Sequence, residues 1–136
     1  MPDPQLCSEE EIFELVTRFY ARVRRDATLG PIFNARVHDW DAHLAKLTDF
    51  WSSALRGTRR FRGTPMPVHA ALPGLTAELF RHWLQLFDET AAGLSNAALR
   101  ERVTELAHRI AQSLWYGYQL ANEMPGQPEE IEELSP

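Results

Sequence analysis

The sequence predicts an all-α fold, and three features carry that reading. Apolar residues recur at intervals of three and four over four long stretches, the period of a helix with one buried face. Those stretches are punctuated by helix signals: Ser8, Asp39, Thr76 and Ser95 stand near their starts, and Gly57 and Gly93 near two of their ends. No segment alternates apolar and polar residues as a half-buried strand would, and no internal repeat is present.

In the first helix Ser8 is the N-cap and Glu11, three residues on, completes a capping box. Ile12, Leu15, Val16, Phe19 and Val23 form its apolar stripe. Arg22, Arg24 and Arg25 close its last turn, where cations favour the negative end of the helix dipole. Leu29-Gly30-Pro31-Ile32-Phe33 is expected to break the helix. A second helix starts near Asp39, carries Trp40, His43, Leu47, Phe50, Trp51 and Ala54 on one side, and ends at Gly57. An arginine-rich connector from Arg56 to Gly63 leads into a short proline-bounded stretch, Thr64 to Pro73, with His69 in its middle. A third helix begins at Thr76, turns Leu79, Phe80, Trp83, Leu86 and Phe87 inward, and stops near Gly93. The last is capped by Ser95, and its stripe is Leu99, Val103, Leu106, Ile110, Leu114 and Gly117. From Glu123 onward, Pro125, Gly126, Pro128 and the glutamates predict a solvated tail. The expected division is one domain over 1–122 and an acidic tail over 123–136.

A chain of 136 residues, 44% of them hydrophobic, can bury a core without disulfides. Its net charge of −5 resides wholly in Glu123, Glu129, Glu130, Glu132 and Glu133, because the body before them is neutral. A neutral body with an acidic tail is a poor partner for nucleic acid, which demands surplus cations. The single cysteine, Cys7, excludes a disulfide framework and a cysteine-based zinc site, and reads as an incidental terminal thiol. No apolar run is long enough to span a bilayer, and Met1-Pro2-Asp3-Pro4-Gln5 lacks the regions of a signal peptide. A cytoplasmic location without membrane contact is the expectation.

His69 has neither the length nor the polar context of an ordinary surface helix around it, which suits a neutral imidazole donating to a metal. No other Cys, His or carboxylate lies within several residues, so such a metal would take its remaining ligands elsewhere, and a macrocycle would supply four. Tyr20, His43 and Trp83, one from each of the three long helices before the last, fall on predicted inward faces. Singly, each reads most simply as core filler with one hydrogen bond. Together they place three polar groups around an apolar pocket, an arrangement suited to a small polar molecule held on a metal. His38, His82 and His108 read as solvent-facing side chains.

The chain resembles the group III truncated haemoglobins. The resemblance rests on Phe19-Tyr20, Leu29-Gly30-Pro31-Ile32-Phe33, His43 with Phe50-Trp51, His69, and Trp83-Leu84 with Phe87, in that order over residues 10–120. It implies a two-over-two helical sandwich with a short proximal helix and a bound haem b. It also implies roles. His69 would be the proximal ligand to iron, and Tyr20 and Trp83 the distal donors to bound dioxygen, with His43 at the distal gate. Phe33 would pack on the haem, Lys46 would reach a propionate, and Leu47, Phe50 and Trp51 would form apolar wall. Arg59 and Arg62, with Arg56 and Arg60, are further candidates for the propionates. The glycine pairs of the first group of truncated globins are absent, and the acidic tail has no counterpart in the family pattern.

The reading that follows is a haem protein binding dioxygen or another diatomic gas at a polar distal site. Such a site can hold oxygen too tightly for simple transport and can assist peroxide cleavage. Oxidation of nitric oxide is a third task, requiring a reductase that the chain does not encode; it carries no flavin or nicotinamide fingerprint. A haem-based gas or redox sensor is the alternative from another class, and a helical interaction domain without haem is the plainest one.

Overall fold

The computed structural model describes residues 2–61 and 75–121; His69, Arg62 and the acidic tail lie outside them. The described residues form five helices and no strand: α1 (Glu9–Arg25), α2 (Leu29–Arg36), α3 (Trp40–Arg56), α4 (Ala77–Ala92) and α5 (Ala97–Ala121). α1 packs against α2, α3 and α4, and α4 against α5. The result is two pairs of long helices, α1 with α3 and α4 with α5, facing each other across one core.

Local chemistry sets the helix starts. The Ser8 hydroxyl accepts from the Glu11 N–H at 3.1 Å, and the Glu11 carboxylate takes the Ser8 N–H at 2.9 Å. Asp39 accepts from the Ala42 N–H and Thr76 from the Leu79 N–H, as the sequence predicts. The last helix departs from expectation: its cap is Asn96 rather than Ser95. The Asn96 amide oxygen accepts from the Leu99 N–H at 3.1 Å, while its NH2 donates to the Leu6 carbonyl and to Glu11. One amide side chain can do both, and a hydroxyl beside it cannot reach as far.

The stretch expected to break the first helix is itself helical. Pro31 falls in the first turn of α2, where an N–H has no intrahelical partner to lose. Asp26 accepts from the Thr28 and Leu29 N–H groups at 3.0 and 2.8 Å and so holds the start of α2. Gly30 is required by close approach, since a Cβ there would lie 2.7 Å from the Arg24 carbonyl oxygen. At the end of α3, Gly57 takes the left-handed conformation (φ 73°) that terminates a helix.

The stripe on α5 holds its predicted position at Leu99 and Val103 and is shifted by one residue from there on. Its buried apolar residues are Leu99, Val103, Ala107, Ala111, Trp115 and Tyr118, whereas Leu106 and Ile110 are only half-buried. Small alanines at the helix contact allow close packing, and hydropathy alone favours the larger neighbours. The core centres on Phe19, whose ring meets Tyr20, Trp83 and Phe87 edge-on at 4.8, 5.0 and 5.0 Å. Cys7 is no incidental thiol. It is 8% exposed within this core, and burial, together with the neighbouring Glu11 charge, pushes its pKa up to about 11.

Candidate functional site

Three helices deliver the predicted distal groups to one place. Tyr20, on the inner face of α1, is 5% exposed, and burial pushes its phenol pKa up. The Trp83 indole on α4 donates a hydrogen bond to the Tyr20 hydroxyl. His43, on α3, presents its ring 6.1 Å from Tyr20 and nearly perpendicular to it. Phe33, carried by α2, meets Tyr20 edge-on at 5.8 Å. These three side chains, Trp83, His43 and Phe33, therefore surround one phenol. Because that phenol accepts from Trp83, its own proton remains to be donated to something else.

The indole of Trp83 is fixed from several directions. Its ring lies 5.4 Å from Phe87 in a near-parallel stack, and Phe87 in turn stacks on Trp51 at 5.5 Å. Trp51 is thus buried in the core, while Leu47 and Phe50 are half-buried beside it. Half-buried apolar groups packed against the core include Trp40, Leu44, Leu47 and Phe50 on α3, and Leu79, Phe80 and Trp83 on α4. A set of large apolar side chains left half-covered by the described core, with a phenol, an indole and an imidazole among them, fits a flat apolar group with a polar ligand on one face.

Lys46 and Arg59 are exposed, and Arg59 stands at a positive φ of 60° in the connector after α3. Arg56 and Arg60 are engaged elsewhere. Both pair with Glu9, which also accepts from the Ser52 hydroxyl at 2.7 Å, so these arginines tie the end of α3 to the start of α1. Burial alone would raise the Glu9 carboxyl, but the bonds from Ser52 and the arginines bring it below its ordinary value.

Two features near the site were not legible in the sequence. The Arg24 guanidinium lies over the Trp40 ring at 4.6 Å, and Trp40 in turn meets His43 at 5.5 Å. His82, expected to face solvent, bonds through Nε2 to both oxygens of Asp26, 56 residues away; His108 likewise pairs with Asp88. A capping aspartate three residues before Leu29 could have been read from local spacing, but its distant partner could not. Among the described residues no cluster of three His, Cys, Asp or Glu side chains could hold a metal ion. Nor does any described helix have the length and apolarity to cross a membrane.

A five-helix sandwich that brings Tyr20, His43 and Trp83 together from α1, α3 and α4 fits a small globin. Comparison with known proteins agrees. The family model for bacterial-like globins matches residues 5–115. The curated "Group 3 truncated hemoglobin ctb" of Campylobacter jejuni is 35% identical over 118 residues, covering 82% of this chain and 93% of that protein. The crystal structure of a group III truncated haemoglobin from Campylobacter jejuni superposes with a TM-score of 0.78 at 30% identity, covering 92% of this chain and 99% of the other. The chain belongs to the bacterial-like globin family, as a truncated haemoglobin of the third group. Binding of a diatomic ligand through haem is the general property of that family.

Proposed function

We propose that this globin binds dioxygen on a haem b whose proximal ligand is His69. Tyr20 and Trp83 are then the distal donors and His43 the polar group at the gate. The observation that carries this reading is the convergence of three helices on a phenol 5% exposed: His43 and Phe33 lie against the Tyr20 ring, and Trp83 packs on the same Phe19 that Tyr20 meets. Haem supplies a ferrous iron that accepts a diatomic sixth ligand and shifts electron density onto it. The chain's part is to aim donors at that density. The Trp83 indole can only donate, so with it beside the Tyr20 oxygen the phenol O–H is left to donate to the ligand.

Phe33, Leu47, Phe50 and Trp51 supply the apolar surface that excludes water from the ligand. Lys46, Arg59 and Arg62 are the cations proposed for the propionates. Arg56 and Arg60 are weaker choices, since Glu9 already engages both. Residues 1–122 make up the globin domain in this reading, and 123–136 an acidic tail. Turnover of peroxide or nitric oxide fits the same polar site and would need electrons from a separate reductase.

The test is an absorption spectrum of the purified protein in the ferric form, after dithionite, and after carbon monoxide. A Soret band that shifts on reduction and sharpens with carbon monoxide is expected. His69→Ala should lose most of that band, with exogenous imidazole restoring it. Full retention of haem and an unaltered reduced spectrum in His69→Ala would refute the proximal assignment.

A further inference from the structure

Tyr20 and Trp83 belong to different helices, so the distance between the two distal groups depends on how α1 and α4 are held together. Part of that grip is apolar, through Phe19 and Phe87. The rest is polar: an exposed Arg22–Glu89 ion pair at 3.7 Å, and a more covered link at Asp26. His82, the residue before Trp83, places Nε2 2.8 and 2.9 Å from the two carboxylate oxygens of Asp26.

Asp26 is itself anchored. Its N–H donates to the Val23 carbonyl as the cap of α1, and its carboxylate accepts from the Leu29 and Thr28 N–H groups at the start of α2. Burial would raise this carboxyl, but the bonds from Leu29, His82 and Thr28 hold it below the usual aspartate range. One residue, through its backbone N–H and its carboxylate, therefore joins the three helices that carry Tyr20, Phe33 and Trp83. The carboxylate is only 16% exposed and is constrained on every side, unlike a surface ion pair between mobile chains.

The molecule contains its own control. His108 makes the same kind of bond to Asp88, at 2.9 and 3.0 Å, and joins α5 to α4 without adjoining either distal donor. Two imidazole–aspartate pairs thus sit on α4, and only one of them lies next in sequence to a ligand-facing indole.

We propose that Asp26 and His82 are positioning residues that set the spacing of Tyr20 and Trp83, and through it the rate at which the bound gas leaves. This rests on the assignment of Tyr20 and Trp83 as distal donors.

The experiment uses the full chain loaded with haem. Oxygen dissociation is followed by stopped flow in His82→Phe, His82→Gln and Asp26→Asn. Asp26→Asn keeps an oxygen for the Leu29 N–H and removes the charge, so the start of α2 should survive. His82→Phe should change the dissociation rate by about threefold or more, and His82→Gln should restore part of it, because an amide can still donate to Asp26. In a Trp83→Phe background the same His82→Phe change should shift the rate by less than about 1.5-fold. His108→Gln should leave the rate unaltered. The position of the Trp83 indole N–H resonance gives a second readout, and it should move in His82→Phe but not in His108→Gln.

An effect of His82→Phe that persists undiminished without the Trp83 indole would overturn the proposal. So would an equal effect from His108→Gln. Failure of the protein to hold haem would instead sink the functional reading, and the indole resonance would still report on the pair.

Discussion

Tyr20→Phe separates the stability of the core from the chemistry of the site. The substitution keeps the ring that Phe19, Phe33, Trp40 and His43 contact at 4.8 to 6.1 Å, and removes only the hydroxyl. One neutral hydrogen bond is lost, worth about 0.5–1.5 kcal/mol. The loss is partly offset because the half-buried Trp83 can re-solvate its N–H, and because a phenol no longer has to be kept from water. Urea unfolding should therefore show a change below about 1.5 kcal/mol. Ligand release should respond more. A hydrogen bond to an acceptor with developing negative charge contributes about 1.5–3 kcal/mol, or roughly 10- to 150-fold in a dissociation rate. Carbon monoxide develops far less charge and should change much less. The sign identifies the dominant donor: faster oxygen release means the phenol dominates, and slower release means the freed Trp83 indole does. Stopped-flow displacement of oxygen by carbon monoxide, with carbon monoxide release measured in parallel, decides the matter. Equal shifts for both gases, or no shift in either, would remove Tyr20 from the distal role.

Other outcomes follow from the packing. Gly30→Ala brings a Cβ to 2.7 Å from the Arg24 carbonyl oxygen, which is backbone and cannot turn aside, so α2 must move. A loss of about 1–3 kcal/mol is expected in thermal or urea unfolding, and a variant as stable as the parent would contradict the close approach. Glu9, Glu11 and Asp26 all have carboxyls held below their ordinary values, so the stability they contribute is complete above about pH 5 and is lost as pH falls through the folded values. Glu9→Gln should flatten the acid limb of a stability–pH profile, and an unchanged limb would count against the Glu9 bracket. Cys7, with its pKa pushed up to about 11, should react with a disulfide reagent at pH 8 only as the protein unfolds. Rapid modification of the native protein would show that the thiol is not buried.

The sequence revealed what repeats locally and concealed what joins distant segments. The capping box at Ser8, the stops at Gly57 and Gly93 and the inner face of α1 depend on residues within one or two turns, and all four were readable. Leu29–Arg36 was misread because Gly30 and Pro31 are strong breaker signals. Here the proline lies in a first turn and the glycine permits a close helix approach, facts that only the neighbouring helix supplies. The stripe of α5 was read correctly at Leu99 and Val103 and misplaced by one residue after them for a related reason: Ala107 and Ala111 are buried because α4 must come near. Tyr20, His43 and Trp83 could be named from their inward positions, whereas the bond from Trp83 to Tyr20 and the link from His82 to Asp26 depend on the approach of α4 to α1.

That approach makes the core and the site one object. Phe19 and Phe87 are fully buried and never reach a ligand, yet they touch the edge and the face of the Trp83 ring. Tyr20 adds a hydrogen bond to the indole N–H, and His82 fixes the backbone one residue away. A half-buried tryptophan bounded by so many groups has little rotamer freedom left, so the entropy of holding it is lost during folding rather than during ligand binding. Phe87→Leu should expose this coupling. The smaller, non-planar side chain removes the stack under Trp83 and the support of Trp51 together. Stability should fall by about 1–3 kcal/mol, and the oxygen dissociation rate should change although no ligand contact has been touched. A loss of stability with an unaltered oxygen rate would mean that the stack on Phe87 does not set the position of Trp83.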